Sequence, residues 1–76
     1  MMRFFAVVVC ADGGIVRNEQ TGEVMNMEVG ECSSRNEAID QACHMFECRH
    51  VRNGVLRRNS SAGGLLVVDA QELVEI

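Results

Sequence analysis

The stretch QACHMFECRHVRNG, residues 41–54, decides the fold, because it must be either the second half of a long helix or the start of something else. At about 100° per residue, Ile39, Ala42, Cys43 and Phe46 share one stripe, with His50 near its centre. That period predicts an amphipathic helix running to about Val51. Asn53 and Gly54 then supply residues that tolerate a left-handed cap. Arg49 and Arg52 would sit at the negative helix end, where cations are favoured. Upstream, Ser34 with Glu37 three residues on fits a capping box, so the helix opens there.

On such a helix Cys43 acts as a small hydrophobe. His44 and Cys48 are four residues apart and share the opposite face with Glu37 and Gln41. A His/Cys pair at that spacing ligates a metal only with help from elsewhere. Cys32 lies before the helix, about 20 Å from Cys48 along the axis. Paired C-x-x-C knuckles are missing. No metal or cofactor is expected, and His44 and Cys48 read as a solvated or partner-facing pair. The same pair on a convex helix lacks the cleft and oxyanion site that nucleophilic catalysis needs. The Gly-Gly pairs at 13–14 and 63–64 match no phosphate-binding loop. The chain is therefore not expected to be an enzyme.

Working outward, RFFAVVVCA (residues 3–11) is β-branched, aromatic and apolar on both faces, and ends at the turn signal DGG. A strand of this kind belongs in mid-sheet. Residues 14–18 and 23–29 read as a hairpin around NEQTG. In its second arm Met25, Met27 and Val29 face one way, with Val24, Asn26 and Glu28 on the other. Met25 and Met27 are expected to fill core, while Met45 lies off the helix stripe. After the helix, VLRRN is a short strand, SSAGG a flexible connection and LLVVD a buried strand. Asp69 and Glu72 fit a cap, but residues 73–76 are read as strand. The sum is one α+β domain over 1–76: a small antiparallel sheet of four to five strands packed on one central helix, in the order β-β-β-α-β-β. One helix covers one face of such a sheet, so a second copy is expected to cover the other, as a homodimer.

Seventy-six residues, 47% of them hydrophobic, suit one small domain that buries about 60% of its unfolded surface. The run at residues 4–11 is short, is preceded by a single Arg3 and carries Val9 where a cleavage site before Cys10 prefers a small residue, so it is not read as a signal segment. No stretch approaches the length of a membrane span. The expected location is cytoplasmic, with the four cysteines as thiols.

The net charge is −4, and every basic residue is an arginine. Residues 12–47 hold eight acidic residues against two basic ones, whereas Arg49, Arg52, Arg57 and Arg58 fall within ten residues. The acidic balance argues against nucleic-acid binding by the whole surface. The basic corner lacks the aromatic residues used to stack single strands. Another protein is thus the expected partner and nucleic acid the second choice. The partner-binding candidates are Arg49, Arg52, Arg57 and Arg58 on the basic side, and Glu23, Glu28, Glu37 and Asp40 on the acidic side, with His44 and Cys48.

The layout of an N-terminal sheet, one central helix in SSRNEAIDQACHMFECRHV, a Gly-rich connection and a closing GGLLVVDAQELVEI resembles small phage-encoded host inhibitors of the anti-CRISPR type. That resemblance spans most of the chain, carries no diagnostic motif and transfers no residue. It implies a non-enzymatic phage or mobile-element protein that blocks a host nucleic-acid-handling complex by occupying a surface.

Overall fold

The computed structural model describes residues 1–58 and 63–76. Five strands and two helices follow the order β1 (Met2–Val9), β2 (Asn26–Cys32), α1 (Arg35–Phe46), β3 (Cys48–Arg52), β4 (Val55–Arg58), β5 (Gly64–Asp69) and α2 (Ala70–Glu75). The strands form one sheet in the order β2-β1-β5-β4-β3, with every pairing antiparallel. The α+β class stands. The expected order is corrected: two strands precede α1, three follow it, and a second helix closes the chain. Of the connection read into residues 60–64, positions 60–62 lie outside the described residues, as does Asn59, while Gly64 opens β5.

The largest correction is at the end of α1. The helix stops at Phe46, five residues short of Val51. Glu47 takes a left-handed conformation (φ 53°, ψ 50°) and donates its N–H to the Cys43 carbonyl. The chain then reverses into β3. Asn53 (φ 47°) and Gly54 (φ 81°) join β3 to β4. Two consecutive positive φ values are the pattern of a type I′ hairpin turn, for which Asn-Gly is the favoured pair. The pair read as a helix cap is thus a hairpin turn. Gly54 also sits close to β5: its carbonyl accepts from Val67 N–H at 2.9 Å.

Side chains alternate along a strand, and cross-strand partners share a face. Phe4, Ala6 and Val8 therefore lie on one face with Met27, Leu65, Val67 and Leu56. Ala38, Ile39 and Ala42 of α1 pack there, together with Val29, Cys32 and Cys48. Cys43 and Phe46 border the same core, as the helical stripe predicts. Met27 faces inward, while Met25 stays exposed.

The other face carries Phe5, Val7, Val55, Leu66 and Val68. Val7 is 0% and Val68 5% exposed within a single chain. Helix α2 packs against β1 and β5, so residues read as a final strand supply that cover. The argument for a second copy loses its premise. Asp69 caps α2 with a full capping box: it accepts from Glu72 N–H at 2.8 Å, and the Glu72 carboxylate accepts from Asp69 N–H at 3.0 Å. The expected hairpin between residues 14–18 and 23–29 is present only near its tip. Arg17 bridges Val24, and Asn18 N–H reaches the Glu23 carbonyl at 2.8 Å. From Asn26 onward the second arm pairs with β1 instead.

Candidate functional site: the arginine face of the β3–β4 hairpin

Strand β3 is one edge of the sheet, and β4 ties it to β5. Register puts Arg49 directly opposite Arg57, and Arg52 opposite Val55. Val55 in turn pairs with Leu66, and Leu66 with Val7. Arg49, Arg52 and Arg57 thus share the face opposite α1. Arg58 pairs with Cys48 and lies on the α1 face. The four-arginine corner of the sequence is therefore split three to one by strand alternation.

The three arginines are exposed, as is Val51 at the irregularity between His50 and Arg52. Among the described residues, ion pairs are made by Arg3, with Glu28 and Glu31, and by Arg35, with Asp69 and Glu72. None reaches the hairpin arginines. Like charges directly opposite on a sheet are destabilising, by up to about 1 kcal/mol. The hairpin holds this arrangement because its other face is anchored: Leu56 is fully buried and Cys48 nearly so. At the tip, His50 Nε2 accepts from Gly54 N–H at 3.1 Å, which fixes the turn from within β3.

The remaining candidates do not join this patch. His44 is exposed on α1, whereas Cys48 is buried on β3, where its thiol donates to the Phe46 carbonyl at 3.4 Å. Burial pushes the Cys48 thiol up, partly offset by the nearby Arg58 charge. Cys32 and Cys43 are likewise raised, chiefly by burial. The expected shared face of His44 and Cys48 is thus corrected, because the helix ends between them. Among the described residues no three His, Cys, Asp or Glu side chains are placed to hold a metal ion.

The acidic candidates are scattered. Glu28 is neutralised across β1–β2 by Arg3. Glu37 works at the start of α1: its N–H donates to Ser34 Oγ at 3.2 Å, and its carboxylate accepts from Ser33 N–H and Ser33 Oγ at 3.1 and 2.9 Å. Those bonds hold its carboxyl below the ordinary range. The capping box is thus shifted by one residue on its return arm. Asp40 is exposed on α1. Glu23 lines an open cavity of about 530 Å³ with Val8, Met25, Met27 and Arg58. Sequence reading missed Arg3 and Arg35, whose partners lie 25 to 37 residues away, and no local signal marks such pairs.

No family model matches the chain, and no curated protein or solved structure matches it either. No helix among the described residues is long and apolar enough to cross a membrane.

Proposed function

We propose that this chain is a non-enzymatic interaction module that docks a surface of opposite charge through the arginine face of β3–β4. One observation carries the reading: Arg49 and Arg57 stand opposite each other, with Arg52 on the same face, and no carboxylate among the described residues pairs with them. An anionic partner converts their mutual repulsion into charge-assisted hydrogen bonds, for which the guanidinium fork is well shaped. The raised thiols of Cys32, Cys43 and Cys48 support the non-enzymatic side, since the thiolate is the reactive form. The narrower reading, a phage or mobile-element inhibitor of a host nucleic-acid-handling complex, rests on small size and acidity alone.

The test is retention on two immobilised polyanions, heparin and poly-L-glutamate, at low salt. The wild-type chain is retained on at least one of them, and the Arg49→Ala/Arg57→Ala variant elutes early with an unchanged circular dichroism spectrum. Identical elution of the two proteins on both columns removes the reading.

A further inference from the structure

The net charge of −4 suggests a poor ligand for phosphate, but the fold separates the charges. Glu28 and Glu31 lie on β2, the edge farthest from β3, and are already paired with Arg3. Four inter-strand steps put β2 about 19 Å from β3. That is more than twice the screening length of about 8 Å at physiological salt. A ligand at the β3–β4 face therefore meets the local arginines rather than the total charge of the chain. Several carboxylates are nearer in sequence or space: Glu72 lines a cavity with His50, Asn53 and Gly54 but is held by Arg35, and Glu23 lines one with Arg58 on the far side of the hairpin. Glu47 immediately precedes β3, and Asp12 sits in the turn beside the groove that Arg57 lines. Neither Glu47 nor Asp12 forms an ion pair among the described residues.

Spacing then narrows the ligand. Arg49 and Arg57 are a direct cross-strand pair, whose Cβ atoms lie about 5 Å apart, close enough for both guanidiniums to reach one anion. Arg52 stands opposite Val55, two residues along β4 from Arg57, a displacement of about 7 Å. This is the edge hairpin of a five-stranded sheet, with one paired and one single guanidinium in line on its outer face, ending in a tight two-residue turn. A sheet about 19 Å across is too wide for a major groove of about 12 Å, so a duplex meets this face at its phosphates. The paired arginines match one phosphate and the single one matches its neighbour on the same strand. The missing aromatic side chains are no handicap there, because stacking platforms serve unpaired bases.

Resting on the docking reading above, we infer that the occupant of this face is the phosphate backbone of a nucleic-acid duplex, held by Arg49, Arg52 and Arg57, with Arg58 excluded because it points to the other face. The contact is to phosphates and carries no base sequence. Fluorescence anisotropy with a labelled 20-base-pair duplex tests it, with poly-L-glutamate as competitor. Two neutralised phosphates give a slope of log affinity against log salt of about −1.8, so affinity falls about 12-fold between about 50 and 200 mM salt. Arg49→Ala/Arg57→Ala lowers the slope by about 1. Arg58→Ala removes the same unit charge as either single change and leaves affinity within about twofold of wild type. Poly-L-glutamate displaces the duplex only at large excess.

If Arg58→Ala weakens binding as much as Arg57→Ala, a diffuse charge effect replaces the patch and the inference fails. If the chain binds poly-L-glutamate through Arg49 and Arg57 but ignores the duplex, the docking reading survives with an acidic protein as partner, and this inference is overturned. If the arginine variants match wild type on both probes, the docking reading itself falls.

Discussion

At the start of α1, the Arg35 guanidinium donates to the Val67 carbonyl at 3.1 Å and to Glu72 at 2.6 Å, and lies 5.8 Å from the Phe4 ring centroid. At the far edge of the sheet, Arg57 faces Arg49 and pairs with no carboxylate among the described residues. The first arginine closes the fold: it joins α1, β5, α2 and β1. The second adds nothing to that closure, and its repulsion with Arg49 works slightly against it. The arginines that hold this small domain together are matched inside the chain, whereas three of those without an ion pair among the described residues share one face of a hairpin whose anchoring lies on the other face.

The comparison breaks most visibly at the anchor. Leu56→Ala empties a fully buried site beneath α1 and should cost about 3 kcal/mol, read as a lower urea midpoint with an unchanged slope. A loss below about 1 kcal/mol would mean that the hairpin is not tied to the core. Gly64→Ala tests the same junction, because an added Cβ would meet the Leu56 carbonyl oxygen. Forcing β4 from β5 should cost about 2 kcal/mol. Arg35→Ala should cost about 1 kcal/mol, since its hydrogen bonds are to charged and carbonyl groups but its side chain is 42% exposed and partly screened. Arg49→Ala/Arg57→Ala should leave thermal stability unchanged or raise it by a few tenths of a kcal/mol. A clear loss of stability there would place these arginines with Arg35 as structural.

The pH dependence sharpens the contrast. The Glu72 carboxyl is held below the ordinary range by the Asp69 N–H first and then by Arg35, and that of Glu37 by Ser33. A lowered folded value means that each carboxylate's stabilisation is fully present above the ordinary glutamate value and is lost as pH falls through the folded one. Melting temperature should therefore drop from about pH 5 toward about pH 3. Glu37→Gln should flatten part of that drop, while Arg49→Ala/Arg57→Ala should leave its shape unaltered.

Much of the sheet was legible because its signals are local. The doubly apolar run of β1, the alternation of Met27 and Val29, the Ser34 cap and the buried LLVVD strand each follow from period and cap chemistry. Residues 47–54 were not legible for a physical reason. Glu47 adopts a left-handed conformation that its side-chain type does not favour, so nothing in the sequence marks the end of α1. Asn53-Gly54 suits a helix cap and a type I′ turn equally well. His50 fell near the helical stripe by coincidence of period, and the extended stripe tipped the choice toward a cap. The tail failed differently. The Asp69–Glu72 box was visible, but apolar residues in 73–76 alternate loosely, and only the need to cover Val7 and Val68 decides for a helix. The arginine face followed the same fate as residues 47–54: the expected helix puts Arg49 and Arg52 at its end and Arg57 on a separate strand, whereas cross-strand pairing, with the irregularity between His50 and Arg52, aligns all three.

The tie between Val67 N–H and the Gly54 carbonyl stops the hairpin tip from swinging as a free arm. Any molecule that lands on the arginines meets a backbone already frozen in place, and only the guanidinium stems remain to be immobilised, at about 0.5–1.5 kcal/mol each. Association should then proceed as a single rigid-body encounter, without a slow rearrangement step after contact.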